Sequence, residues 1–105
     1  MRSLLLALEL ARVIAGEAPG CEPITAVAVA QVYHRRIEAN IQGGWFGWQT
    51  PDATDLAVAL TWQTWPNVTG EALYMLGPGD TEKVTWVKTA MWSIECNDTT
   101  LTAWE

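Results

Sequence analysis

The stretch Ala11-Arg-Val-Ile-Ala-Gly-Glu-Ala-Pro-Gly-Cys-Glu-Pro23 contains the end of one predicted helix, a break and the start of another. Apolar residues recur at helical spacing upstream of Glu17 and share its face: Leu6, Leu10 and Val13. Pro19-Gly20 then ends the helix. The stretch therefore predicts a carboxylate on the buried face of a helix, at the point where the helix gives way to a loop.

Glu17 is accordingly the first candidate for chemistry. A carboxylate that loses hydration on a buried face has a raised pKa and keeps a proton near neutral pH. A general acid needs such a proton. The alternative is an ordinary glutamate in the last turn of a fraying helix. Spacing alone favours that alternative, because single carboxylates at helix ends are common.

Helical periodicity continues on both sides of this junction. The first helix is predicted from about Ser3 to Glu17, and the second follows Glu22-Pro23 and runs to about Asn40. One face of the second helix is apolar: Ala26, Val29, Ala30, Tyr33 and Ile37. The opposite face is polar: Gln31, His34, Arg35 and Glu38. A third helix is predicted to begin after Thr50-Pro51-Asp52, which has N-cap character, and to run to about Gln63.

Beyond the third helix the period changes to that of strands. The predicted strands are Ala72–Leu76, Val87–Cys96 and Thr100–Trp104. Three helices followed by a small three-stranded antiparallel sheet make an α+β fold. With 105 residues, the chain is predicted to form one domain over 1–105.

Composition excludes several classes of function. The net charge is −6 and the longest basic run is Arg35-Arg36, so a nucleic-acid partner is not expected. No stretch is long enough to span a membrane, and we interpret the apolar N-terminus as the first helix rather than a signal peptide. His34 and Glu38 are predicted to form a solvated helix pair rather than a metal site. Cys21 and Cys96 could form a disulfide or remain two buried thiols, and the sequence leaves both open.

Tryptophan is the most informative residue type. A core of this size can hardly bury all seven, and an exposed Trp usually stacks on a sugar ring or on a partner protein. The loop Ile41–Gln49 combines three glycines with three aromatic residues, which is typical of a surface loop that binds something. The alternative is that these aromatic side chains pack into the core.

At this point the chain resembles the bacterial cell-wall hydrolases related to spore-cortex-lytic enzymes, which are lysozyme-like lytic transglycosylases. The motifs that carry the resemblance are Ala11-Arg12-Val13-Ile14, Gly16-Glu17-Ala18, Val27-Ala28-Val29-Ala30 with Arg36, Trp45-Phe46-Gly47-Trp48, and Gly70-Glu-Ala-Leu-Tyr74 with Pro78 and Trp86. The chain departs from the family pattern where Pro19 replaces an arginine and Cys21 a second glutamate. Arg35 also stands in place of an asparagine.

The resemblance implies a lysozyme-like fold and cleavage of peptidoglycan glycan strands between N-acetylmuramic acid and N-acetylglucosamine, with neither metal nor organic cofactor. Glu17 would act as general acid and then as base on the sugar C6 hydroxyl. Tyr74 is the candidate for a hydrogen bond near the scissile bond, with an ordinary sheet tyrosine as the alternative. Candidates for stacking on sugars are Trp45, Trp48 and Trp86. Arg36, expected to pair with a carboxylate, and Glu22 are candidates for supporting structural roles.

Two other functions stay open. A plain hydrolase would need a second carboxylate, for which the candidates are Asp52, Asp55, Glu71 and Asp80. A non-catalytic glycan-binding or virion structural module would keep the fold without the activity. Without a visible signal peptide, we expect synthesis in the cytoplasm and delivery to the wall as a phage lysin or virion-associated domain. Other virion or lysis proteins would then be partners.

Overall fold

The structure is a computed structural model that describes residues 2–41, 49–76, 90–96 and 99–104. The helices are α1 (Arg2–Glu17), α2 (Pro23–Glu38) and α3 (Ala53–Thr61), and a short 3-10 turn follows α3 at Trp62–Thr64. The strands are β1 (Tyr74–Leu76), β2 (Ala90–Cys96) and β3 (Thr99–Trp104). The predicted α+β order of three helices followed by a three-stranded antiparallel sheet is confirmed. The predicted start of the second strand, residues 87–89, lies outside the described residues.

Strand β3 is the central strand, although it is the last in the chain. It pairs antiparallel with β2 over Cys96↔Thr99 to Ala90↔Trp104, and its other edge pairs with β1 through Tyr74↔Trp104. A bulge between Ala90 and Trp92 shifts the register of β2. The order β1-β3-β2 therefore places Tyr74 at one end of the sheet and Cys96 at the other.

Helix α2 is the centre of the core. Every residue from Thr25 to Val32 is buried, because small and β-branched residues cover the helix on nearly all sides. Its Val27, Val29 and Val32 join one apolar cluster with residues from the other elements: Ile14, Val58, Met75, Leu101 and Ala103. A helix that is apolar all round must be covered on all sides, and here α1, α3 and the sheet cover it.

The polar face predicted for α2 is wrong at Gln31. Its side chain is only 5% exposed, donates to the Pro66 carbonyl (2.9 Å) and accepts from Thr69 Oγ1 (2.8 Å). Arg35 donates to the same Thr69 hydroxyl (2.9 Å) and to Asn67 Oδ1 (2.8 Å). These two side chains therefore hold residues 66–72 against α2 and set the position from which β1 begins.

Helix α3 begins as predicted after Asp52. Asp52 accepts from the Asp55 backbone N–H (2.8 Å), and the Asp55 side chain accepts from the Asp52 backbone N–H (3.0 Å). This reciprocal capping box satisfies two N–H groups that a helix start leaves unpaired. Burial raises the pKa of Asp55. Both carboxylates therefore have a structural task at the start of α3.

Candidate active site

Glu17 is the last residue of α1 and is partly buried. Residues around it in the chain are buried, with Ile14 and Ala18 in the core cluster. The predicted apolar face is confirmed at Leu10 and Val13, which are buried, but Leu6 at the start of the helix is 51% exposed. Glu17 thus lies where a buried helix face meets the loop to α2. The C-terminus of a helix carries partial negative charge, so this position is unfavourable for the charged form of a carboxylate.

A disulfide holds the loop that follows Glu17. Cys21 is bonded to Cys96, the last residue of β2, with their Cα atoms 5.8 Å apart. The chain turns through Gly20, whose φ of +70° lies in the region that glycine adopts most easily. Of the two states that the sequence left open for the cysteines, the structure has the disulfide. It connects the loop beside Glu17 directly to the sheet.

Glu22 lies at the same end of the helix pair. It is the N-cap residue of α2, and its carbonyl accepts from the Thr25 backbone N–H (3.0 Å). The Glu22 side chain is exposed and makes no capping hydrogen bond. The supporting role of the Glu22 side chain stays a prediction.

Arg36 and Tyr74 lie together at the other end of α2. The guanidinium carbon of Arg36 is 5.4 Å from the centre of the Tyr74 ring, and Nη1 donates to the Leu73 carbonyl (3.0 Å). Burial lowers the pKa of Arg36, and the nearby Tyr74 opposes that shift. Arg36 thus binds a backbone carbonyl and packs against an aromatic ring.

The helix geometry separates this pair from Glu17. The connection from Glu17 to Pro23 is short and Tyr33 of α2 interacts with Glu9 of α1, so the two helices run roughly antiparallel with Glu9 and Tyr33 at a similar level. Given a rise of 1.5 Å per residue, the backbone of Glu17 lies roughly 15 Å along the helix axis from that of Arg36. The structure brings Arg36 and Tyr74 together, and it places Glu17 with Glu22 and the disulfide at the opposite end.

The other acids considered from the sequence lie in structural surroundings. Asp52 and Asp55 cap α3, and Glu71 is exposed and interacts with Arg35, whose pKa it raises against the effect of burial. Asp80 lies outside the described residues. Of the acids considered from the sequence that the structure describes, Asp52 and Asp55 are thus used for capping, and Glu71 lies near the charge of Arg35.

The predicted sugar-stacking residues Trp45, Trp48 and Trp86 all lie outside the described residues. Trp65 does show that tryptophan is partly exposed in this protein, at 37%. His34 forms the predicted pair with Glu38 one helical turn away. Among the described residues, no group of three or more His, Cys, Asp or Glu side chains could hold a metal ion.

The Tyr33–Glu9 pair supplies a titration that can be followed. Burial, together with the charge and hydrogen bond of Glu9, raises the pKa of Tyr33 to about 12. A folded-state pKa above the ordinary tyrosine pKa of 10.0 means that the folded protein binds more protons than the unfolded chain between pH 10 and 12. The stability that this pair contributes is therefore complete below pH 10 and is lost as the pH rises towards 12.

We expect Tyr33→Phe to remove a tyrosinate absorbance transition near pH 12 and to flatten the fall in stability above pH 10. The measurements are an absorbance titration and urea unfolding at several pH values. Tyr74→Phe is the matched control, because the chain has two tyrosines, and it should leave the Tyr33 transition in place. A wild-type protein without any transition above pH 11 would contradict the burial and pairing of Tyr33.

The fold and the site define a small α+β domain with a partly buried glutamate at a helix–loop junction that a disulfide ties to the sheet. Comparison of the chain with protein-family models, with curated proteins and with solved structures gives no match. None of the helices that the structure describes is long and apolar enough to cross a membrane.

Proposed function

We propose that this domain cleaves peptidoglycan glycan strands as a lytic transglycosylase, with Glu17 as the single general acid and base. The observation that carries the proposal is the position of Glu17, at the end of α1 beside buried residues and next to a loop tied down by the Cys21–Cys96 disulfide. Catalytic groups are held on rigid supports, and this junction is such a support. The motif Gly16-Glu17-Ala18, shared with the cell-wall hydrolases that the sequence resembles, supplies the substrate class.

In the proposed reaction, protonated Glu17 donates its proton to the glycosidic oxygen as the bond to C1 of N-acetylmuramic acid breaks. The resulting carboxylate then takes the proton from the C6 hydroxyl of the same sugar while that oxygen attacks C1. The product carries a 1,6-anhydro ring, and Glu17 is protonated again. One carboxylate completes the cycle because the nucleophile belongs to the substrate.

The surroundings of the three described acids that the sequence offered as a second carboxylate favour this route over hydrolysis. A hydrolase needs a second carboxylate roughly 5–10 Å from the first. Asp52 and Asp55 cap α3, and Glu71 lies by Arg35. A carboxylate that stabilises a helix start or an arginine is a poor candidate for activating water. This supports a mechanism in which Glu17 acts alone.

Tyr74 takes a changed role in the proposal. Because Tyr74 packs on Arg36 at the far end of α2, we assign it to a contact with a neighbouring sugar rather than with the scissile bond itself. Trp45, Trp48 and Trp86 keep their proposed role in stacking on sugar faces. Each of these side chains would add binding energy through its contact with a sugar.

Delivery to the cell wall belongs to the same proposal. Disulfides form and persist in oxidising compartments, and the Cys21–Cys96 bond fits a protein that works outside the reducing cytosol. We propose that the lysis or virion proteins of a phage carry the domain to its substrate.

The mass of the products tests the proposed reaction. Purified peptidoglycan incubated with the protein should release muropeptides one water lighter than those that end in a reducing sugar. Products of full mass would instead show hydrolysis and require a second carboxylate. Binding to insoluble peptidoglycan without any release, across several wall types, would favour the non-catalytic glycan-binding module.

A further inference from the structure

An apolar groove opens at the end of the helical layer opposite Glu17. Its volume is about 340 Å³, and its walls are α1, α2 and the end of α3 with the following turn. The apolar part of the lining includes Leu6, Leu10, Ile37, Leu60 and Trp62. Trp62 and His34 both line the groove, and their ring centres are 5.0 Å apart. The groove is therefore assembled from three separate helical segments.

The rim of the groove is unusually apolar for a surface. Leu6, Ile37 and Leu60 are 51%, 50% and 61% exposed, and each belongs to a different helix. Single exposed aliphatic side chains are ordinary, whereas several around one concave surface mark a site that another molecule covers. Three such residues on three helices make this a common surface rather than one poorly packed helix.

Two acidic side chains contact residues that line the groove. Glu9 of α1 is hydrogen-bonded to Tyr33 in the groove wall, and Glu38 of α2 pairs with His34. Of the neighbouring cations on α2, Arg35 is hydrogen-bonded to residues 67–72, although its charge also interacts with Glu38, and Arg36 binds Leu73 and Tyr74. The whole chain has a net charge of −6. A mostly apolar groove with carboxylates beside it is complementary to an apolar stripe flanked by positive charge.

We propose that this groove binds an amphipathic helix of a partner protein, with an aliphatic face flanked by lysine or arginine. The aliphatic side chains would fill the space between Leu6, Ile37 and Leu60, and the cations would meet Glu9 and Glu38. A second copy of this chain is a poor occupant, because it would bring its own acidic groups against the same carboxylates. The site does not depend on the proposed function, since it lies at the other end of α1 from Glu17.

Two synthetic helical peptides test whether the groove binds an apolar helix face and whether it prefers positive charge beside that face. Both carry leucines at positions i, i+3 and i+7, flanked in one by lysines and in the other by glutamates. Fluorescence anisotropy should show binding of the lysine peptide and at least ~10-fold weaker binding of the glutamate peptide. Raising the ionic strength from about 0.1 to 1 M should lower the affinity of the lysine peptide several-fold, because the Debye length falls from about 10 to 3 Å. Equal affinity of the two peptides, or no binding of either, would overturn the proposal.

A pair of matched variants locates the site. Leu60→Lys, on the rim, should lower the affinity for the lysine peptide ~10-fold or more. The substitution removes apolar area that the bound peptide would cover, and it adds a charge that repels the lysines. Leu5→Lys adds the same charge at a leucine that is 66% exposed and does not line the groove, so it should change the affinity by less than ~2-fold. Equal losses in the two variants would place binding outside the groove. Self-association of the protein that Leu60→Lys abolishes would instead identify a second copy as the occupant.

Discussion

Glu17→Gln is expected to abolish the release of anhydromuropeptides from peptidoglycan, with a loss of at least ~10³-fold in turnover. Glutamine has nearly the size of glutamate, so packing at the end of α1 is preserved. Its amide cannot protonate the leaving oxygen or take the proton of the C6 hydroxyl. The loss should therefore appear in the rate of cleavage and leave the fold intact. The measurement is product formation by mass spectrometry, alongside thermal unfolding of both proteins.

The matched control for this substitution is Glu95→Gln. Glu95 is an exposed residue of β2 and lies in neither the proposed site nor the groove. The Glu95→Gln variant loses the same unit of negative charge as Glu17→Gln. It therefore shows how the change in net charge alone affects the activity on peptidoglycan. We expect its turnover to stay within ~2-fold of wild type, because the interaction between exposed charges is largely screened by salt.

Binding separates the two possible meanings of an inactive variant. Glu17→Gln should still sediment with insoluble peptidoglycan, because the residues proposed to stack on sugars are unchanged. Full activity of Glu17→Gln would refute the proposed acid and require another carboxylate. Binding by the wild type and the variant alike, without turnover by either, would leave a glycan-binding module.

Replacing Cys96 with serine is expected to cost about 4 kcal/mol of unfolding free energy. The disulfide joins residues 75 positions apart, so it removes a large part of the conformational freedom of the unfolded chain. For a domain of this size, such a loss corresponds to a Tm lower by roughly 20 °C. Unfolding in urea and thermal unfolding followed by circular dichroism measure the two quantities.

Two comparisons check that the effect belongs to the disulfide. The double variant Cys21→Ser/Cys96→Ser should be about as stable as the single variant, because either change removes the same bond. A reducing agent should lower the Tm of the wild type to that level and leave the double variant unchanged. A reduced wild type that keeps its Tm within about 2 °C would contradict a stabilising role for the bond.

The helices could be predicted from the sequence because their signals are local. Periodic apolar residues identified α1 and α2, and the Pro19-Gly20 break with Pro23 placed the junction between them. The capping signal before Ala53 located the start of α3. Alternation likewise found the strands, although β1 is shorter than predicted and begins at Tyr74.

The contacts between distant parts of the chain could not be predicted in this way. Gln31 looks solvent-facing in its own helix and is buried because residues 66–69 bring a carbonyl, an amide and a hydroxyl to it. Likewise, the sequence predicts Leu6 on the buried face of its helix. The packing of three helices instead places it, partly exposed, at the rim of a groove.

The sequence by itself determined the order of the elements, the helix–loop position of Glu17 and the acidic character of the molecule. Each depends on spacing within a few residues or on composition, which no tertiary contact alters. Only the tertiary structure decided the central position of β3, the Cys21–Cys96 bond, the pairing of Arg36 with Tyr74 and their separation from Glu17. These depend on which surfaces meet, and burial is a property of all the packed elements together.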